Sequence, residues 1–309
     1  MAAAPYDVEE SARRLSGYRG VLRELVHLTA GHLALEPRLD RKCLLGDHLY
    51  DDARSVVKLD RRIAELGGDG GGAPGPEASA VLDRASAAGT AGYLEIAYGE
   101  LKPALLAAIR DDLDGVDPLA DEPTLRLLVQ LLNRQERHVA ELPAAGPEPP
   151  LFSLASPTAG DPRALSVLPP LEAPRRDAFV RVAESTVGGH PVHDLMHAEL
   201  CAAELAARTS HEQPGLPLDF HADMARLCWD HIRHAELLDR VMAAELGCHW
   251  GEHPVALDRF AALSAQDLGG RLAALAAVPA TTDLPAAAAG FLRADAAAHA
   301  AIVARWSSS

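Results

Sequence analysis

The feature that most constrains the fold is the spacing of apolar side chains, which recurs every three to four residues along most of the chain. That period places the apolar side chains on one face of an α-helix. Apolar residues make up 48% of the 309 residues but aromatic residues only 4%, so the core must consist mainly of Leu, Ala and Val. Ala and Leu are strong helix formers, whereas strands favour β-branched and aromatic residues. The sequence therefore predicts an all-α protein.

Two segments rich in Gly or Pro interrupt the helical pattern, at residues 67–76 and 143–174. Such segments break helices, and the longer one is typical of a linker. We therefore predict an N-terminal helical bundle over residues 1–142, a Pro-rich linker over 143–174 and a C-terminal helical bundle over 175–309. The helices expected between the breaks are about Asp7–Glu36, Asp40–Leu66, Gly92–Leu113, Asp121–Leu142, Arg175–Thr186, Val192–Thr209, Leu218–Leu246, Ala265–Ala277 and Asp283–Trp306.

The charge of the chain argues against two classes of partner. Its 44 acidic residues outnumber its 29 basic residues, giving a formal net charge of −15. Nucleic acids and anionic membranes both attract clustered Lys and Arg, so we expect neither as a partner. No run approaches the roughly 18 apolar residues that span a bilayer, and the first residues lack the pattern of a secretion signal. The four cysteines show no CxxC spacing and are interpreted as reduced residues of a cytoplasmic protein.

Polar side chains interrupt three apolar stripes in the C-terminal half. His231 and His234 fall between Leu227 and Leu238 at helical spacing, so both imidazoles are expected to point into the core. Glu199 occupies the same kind of position in the preceding predicted helix, and His299 does so in the last. Burying these groups without partners is costly, and a metal ion is one way to satisfy them together. A core closed by hydrogen bonds alone is the alternative.

The N-terminal half has a weaker counterpart of this pattern. His48 and Asp52 lie on one apolar stripe, and Gln135 and His138 lie on another. Gln is a poor metal ligand and carboxylates are few, so we interpret these four residues as a structural polar cluster, with metal ligation as the alternative.

Several motifs resemble those of the ferritin-like superfamily. The segment 225–238, ARLCWDHIRHAELL, resembles the helix that carries Asp-Glu-Ala-Arg-His-Ala and its Glu-x-x-His iron ligands. The segment 197–205, HAELCAAEL, resembles the helix that supplies a single Glu ligand, and 295–299, DAAAH, resembles a second Asp-Glu-x-x-His that lacks its Glu. Residues 45–66 and 133–142 look like the matching helices of the first half. The resemblance implies two tandem ferritin-like up-down bundles.

The chain departs from the family pattern at the ligands themselves. The Glu-x-x-His positions hold His231/His234, Ala296/His299, Asp52/Ser55 and Gln135/His138. A diiron site needs about four carboxylates, so a His-rich set suits one metal better than two.

The resemblance implies a non-haem iron oxidase or oxygenase that activates dioxygen on a small organic substrate, in specialised metabolism. Glu199, His231, His234 and His299 would hold a mononuclear iron, with zinc as the other metal considered. Asp230 and Glu204 would accept hydrogen bonds from the remaining ring nitrogens. The alternative is a metal-free bundle that binds a ligand or a biosynthetic partner protein; direct acid–base use of the buried histidines is a third interpretation.

Overall fold

The computed structural model describes residues 5–36, 38–69, 71–142, 191–250, 259–277 and 284–307. Every regular element in these ranges is helical, which confirms the all-α prediction. The predicted linker over 143–174 and the predicted helix over 175–186 lie outside the described residues. The chain divides into two compact units: described residues of 5–32 and 48–142 form the first, and those of 33–47 and 191–307 form the second.

The described part of the first unit contains six helices, of which the first two also contribute their adjoining ends to the second unit. These are α1 (Val8–Leu35), α2 (Leu39–Glu65), α3 (Pro76–Ala87), α4 (Thr90–Ile96), α5 (Lys102–Leu113) and α6 (Glu122–Glu141). A π-helical segment, Ala97–Leu101, joins α4 to α5, and Pro103 lies in the first turn of α5. The sequence predicted one helix over Gly92–Leu113 here, and no helix at α3.

The core of the first unit follows the apolar stripes that the sequence predicts. In α2 the stripe residues Leu49, Val56, Leu59 and Ile63 are all buried. Helix α6 begins after Asp121, whose carboxylate accepts a hydrogen bond from the Thr124 backbone N–H. This N-cap satisfies one of the four free N–H groups at the start of the helix and fixes where α6 begins.

The described part of the second unit contains five helices besides the ends of α1 and α2. They are α7 (Pro191–Glu212), α8 (Leu218–Val241), α9 (Arg259–Ser264), α10 (Leu268–Leu275) and α11 (Ala286–Trp306). A π-helical segment, Met242–Leu246, extends α8 and ends at Gly247, whose φ of 63° is the left-handed conformation that favours glycine. The helix predicted at Ala265–Ala277 corresponds to the shorter α10, and α9, which ends just before that span, was not predicted.

Helices α7 and α8 pack along each other and form the core of the second unit. Their contact buries Met196 and Leu200 of α7 against Ala235 and Leu238 of α8. Helix α11 packs on α8, and α10 packs on α7. The polar residues singled out in the sequence lie on these same contact faces.

Helix α11 is long and apolar enough to be a candidate membrane span by length and composition, and about a third of its apolar stretch is buried. Core helices of soluble proteins pass the same test, so this is a weak indication. The helix also carries Asp295 and His299 on its packed side, and both hydrogen-bond to residues of α8.

Candidate metal centre

Three side chains of the second unit converge in its interior. Glu199 comes from α7, and His231 and His234 come from α8 one helical turn apart. All three are buried, and each offers one ligand atom that lies within 4.8 Å of the other two. We call these three residues the Glu199 cluster. The apolar neighbours on each helix explain the placement, because Met196 and Leu227 direct the same faces into the core.

One carboxylate oxygen lies at the centre of the Glu199 cluster. Oε2 of Glu199 lies 2.7 Å from Nδ1 of His231 and 2.9 Å from Nδ1 of His234. Burial opposes ionisation of Glu199, but the two imidazoles outweigh it and lower the pKa of the carboxyl to about 2. Among the described residues, the two imidazoles are the only polar partners of this carboxylate. Glu199 is therefore an anion enclosed by imidazole rings.

The second nitrogen of each imidazole has a different environment. Nε2 of His234 lies 3.0 Å from Oδ2 of Asp295, so both nitrogens of this ring face a carboxylate. Burial lowers the pKa of His234, but the bonds to Glu199 and Asp295 outweigh it and raise the pKa overall. Nε2 of His231 is buried and has no hydrogen-bond partner within the described chain.

Two arginines and two aspartates surround the Glu199 cluster. Arg233 donates from one nitrogen to Oδ1 of Asp230 and to Oδ2 of Asp295, both at 2.7 Å. Arg226 donates to Oδ2 of Asp230, also at 2.7 Å. These guanidiniums and His299 overcome burial and hold the pKa of Asp230 well below its usual range. Asp230 is thus ionised, and both aspartates are engaged by Arg233.

His299, predicted as a fourth ligand, lies beside the cluster. Its Nε2 is 3.3 Å from Oδ2 of Asp230, and its ring centre is 4.7 Å from that of His231. It is not one of the three residues whose ligand atoms lie together. Burial lowers the pKa of His299, and the bond to Asp230 opposes that effect. His299 therefore lies within hydrogen-bond distance of Asp230, which was predicted to accept such a bond from an imidazole.

Glu204 was predicted to accept a hydrogen bond from an imidazole, and the structure pairs it with a lysine. Its Oε1 lies 2.7 Å from Nζ of Lys42, which also donates to the carbonyl of Leu33 at 2.8 Å. The lysine is 1% exposed and the glutamate 0%. This is a buried ion pair within the second unit.

The four polar residues predicted in the first half also lie together, around a residue that the sequence did not single out. Lys102 of α5 donates to Asp52, Gln135 and His138. His48 stacks on His138 at 3.9 Å between ring centres. We call Lys102, Asp52, Gln135 and His138 the Lys102 cluster. The structure thus gathers the four residues in one polar cluster around an ammonium that was not foreseen, and Nε2 of His138 is buried without a hydrogen-bond partner in the described chain.

The site residues that sequence reasoning missed are Arg226, Arg233, Asp295, Lys42 and Lys102. A signal existed for each. The two arginines lie four residues before and three after Asp230, on its own helical face, and Asp295 lies four before His299. The chain has only three lysines among 29 basic residues, and two of them fall on apolar stripes.

The fold and the cluster define a class: an all-α protein with two imidazoles and one carboxylate gathered in a buried core. The model of DUF455, a family of proteins of unknown function, matches residues 125–302, more than half of the chain. The chain therefore belongs to this family, and the matched region contains the whole Glu199 cluster. No curated protein and no solved structure gives a significant match.

Proposed function

We propose that the protein is a metal-dependent oxidoreductase that uses one non-haem iron, held by the Glu199 cluster, to activate dioxygen on a small organic substrate. The observation that carries the proposal is the convergence of two imidazole nitrogens and one carboxylate oxygen. Two histidines and one carboxylate are the ligand set of many non-haem iron oxygenases, because three protein ligands leave positions open. The same set also binds zinc in hydrolases.

The charges around the cluster favour a bound cation. Three carboxylates, Glu199, Asp230 and Asp295, face two guanidiniums, those of Arg226 and Arg233. With neutral imidazoles the group carries a net charge of −1, in a buried place where uncompensated charge is costly. A metal cation bound to Glu199 would supply the missing positive charge.

The ring of His234 leads to the same requirement. A neutral imidazole has one N–H donor, yet both nitrogens of His234 face carboxylate oxygens, at 2.9 and 3.0 Å. If Nε2 donates to Asp295, the lone pair of Nδ1 faces Glu199 and needs a cation between them. A proton or a metal ion meets that need, and the arrangement suits a metal because the bond to Asp295 fixes the tautomer that a metal ligand requires.

One metal fits this set better than two. Among the described residues, Glu199 contacts the imidazoles of His231 and His234 and has no arginine partner. Asp230 and Asp295 are both held by Arg233. A diiron carboxylate site takes about four carboxylates, so we propose a mononuclear centre.

Iron, when bound, supplies one-electron chemistry with dioxygen. The residues of the chain bind and orient it: Glu199, His231 and His234 would hold the metal, Asp295 holds the ring of His234, and Asp230 holds His299. Burial of the cluster excludes bulk water from the ligands, which strengthens the electrostatic interactions between them.

The wider proposals follow from the ferritin-like resemblance and the composition. We propose that the helices form two tandem ferritin-like bundles joined by the Pro-rich segment, in a cytoplasmic protein that takes neither nucleic acid nor membrane as a partner. The helical content and the buried ligand set support this, and the acidic net charge of −15 supports the choice of partners.

Metal analysis of the full chain tests the proposal. The protein is produced in iron-supplemented medium, and metal per chain is measured for the wild type, for His231→Ala and His234→Ala together, and for His249→Ala. The last is the matched control, because the side chain of His249 is 64% exposed. Near-stoichiometric iron in the wild type and control but not in the double variant supports the proposal. If the wild type instead held stoichiometric zinc, the proposed function would change from an oxidase to a hydrolase.

A metal-free bundle that binds a ligand or a biosynthetic partner protein is the second candidate. One observation favours it: a protonated His234 would donate to both Glu199 and Asp295 without a metal, and Arg233 already donates to both Asp230 and Asp295. A well-folded wild type that holds no metal, and whose thermal stability iron does not change, would select this candidate.

A further inference from the structure

The ammonium group at the centre of the Lys102 cluster has three side-chain acceptors from two helices. Nζ of Lys102 lies 2.7 Å from Oδ2 of Asp52, 2.8 Å from Oε1 of Gln135 and 3.1 Å from Nδ1 of His138. Lys102 and Asp52 are each 1% exposed, and Gln135 and His138 are fully buried. Lysine is almost never buried unless it is paired, so this position demands a cation.

The acceptors are also chemically suited to a metal ion. They are a carboxylate oxygen, an amide oxygen and an imidazole nitrogen, all of which bind divalent metals. Gln135 and His138 lie three residues apart on α6 and face Asp52 of α2. This repeats the arrangement of the Glu199 cluster, in which a carboxylate of one helix faces two side chains spaced three apart on another.

The walls of the Lys102 cluster are held independently of the ammonium. Oδ1 of Asp52 accepts a hydrogen bond from Nε2 of Gln135 at 2.6 Å. His138 stacks on His48, whose two nitrogens lie 2.9 Å from the Tyr98 hydroxyl and 3.0 Å from Glu141. The acceptors would therefore stay close to their present positions if the amine were removed.

The choice of lysine at this position is itself informative. Only three of the 29 basic residues are lysines, and two of those, Lys42 and Lys102, are buried against carboxylates. An ammonium is a compact charge with three donors, whereas a guanidinium is planar and larger. A site the size of one small cation accepts the former and excludes the latter.

We propose that the ammonium of Lys102 takes the place of a divalent metal ion in the first unit. In the natural chain the amine keeps metal out of this site. Removing the amine is expected to open a new site for a divalent transition metal, with Asp52, Gln135 and His138 as ligands.

Cobalt titration of the full chain tests this proposal, because Co²⁺ bound to nitrogen and oxygen ligands absorbs visible light. The titration compares the wild type with Lys102→Ala, and the combined variant Lys102→Ala/His138→Ala is the matched control. We expect Lys102→Ala to bind about one equivalent more than the wild type. We expect the added equivalent and its absorption to disappear in the control. An extra equivalent that survives His138→Ala overturns the proposal, since it is bound elsewhere.

A second variant covers a failure to fold. Lys102→His keeps a donor at the position, and circular dichroism with and without Co²⁺ follows the folding of both variants. Helical structure that either variant gains only with Co²⁺ supports the proposal. Folded variants that take up no additional Co²⁺, or variants that stay unfolded with it, overturn the proposal. The readout is the difference from the wild type, so it is independent of whether the Glu199 cluster binds metal.

Discussion

The buried pair of Lys42 and Glu204 gives the sharpest stability prediction. The two charges lie 2.7 Å apart, at 1% and 0% exposure, and Lys42 also donates to the Leu33 carbonyl. Lys42→Met would leave a buried carboxylate without its cation, which costs about 3–5 kcal/mol. The lost bond to the carbonyl adds about 1 kcal/mol. Replacing both residues, as Lys42→Met/Glu204→Met, removes the uncompensated charge, so we expect the double variant to be more stable than Lys42→Met.

Equilibrium urea unfolding, followed by circular dichroism, measures these free energies. The matched control is Lys58→Met, because Lys58 donates to Gln130 in a solvent-exposed hydrogen bond; we expect a change within about 0.5 kcal/mol. The double-mutant cycle should give a coupling energy of about 2 kcal/mol or more. The reasoning would be refuted if Lys42→Met cost less than about 1 kcal/mol, or if the double variant lost the sum of the two single losses.

Three further predictions concern acidity, thiols and the metal ligands. Burial keeps His48 neutral by lowering its pKa. Below about pH 6.5 the unfolded chain therefore binds more protons than the folded chain, so the free energy of unfolding should decrease as the pH is lowered, by up to about 1.4 kcal/mol per pH unit. His48→Gln should flatten that slope in urea unfolding at pH 5 and 7, and an unchanged slope would contradict the assignment. Burial raises the pKa of Cys228 to about 12 and all four cysteines are buried, so iodoacetamide at pH 8 should label none of them before denaturation, as mass spectrometry would show. Asp295→Asn should weaken metal binding about 10–100-fold in a competition titration with a chelator; unaltered affinity would mean that the bond to His234 does not support the ligand.

The helical class was predictable because it depends on the apolar period and on a composition of strong helix formers. The stripe of α2 and the helix end at Gly247, after the π-helical segment that extends α8, were both visible in the sequence. Helix α3 was missed because it follows a Gly-rich segment directly, and the π-helical segment at Ala97–Leu101 leaves no mark on the apolar period. The apolar period along the sequence therefore predicts where helices form more reliably than whether a given turn is α-helical or π-helical.

The burial of the candidate ligands was predictable for the same reason, since Glu199, His231 and His234 lie on apolar stripes. The partners of Glu204 and Lys102 were not predictable, because partners depend on which helices meet. The sequence gives no sign that Glu204 faces Lys42 or that Lys102 faces Asp52, since each pair joins distant parts of the chain. The available hints were the rarity of lysine and the position of Lys42 and Lys102 on apolar stripes.

The most direct test of the central claim is a crystal structure of the iron-loaded protein with data collected on both sides of the iron absorption edge. We predict one anomalous peak per chain, within about 2.0–2.3 Å of Oε2 of Glu199 and of the facing nitrogens of His231 and His234. A peak at other residues, or a fully loaded crystal with no peak at these three, would contradict the account.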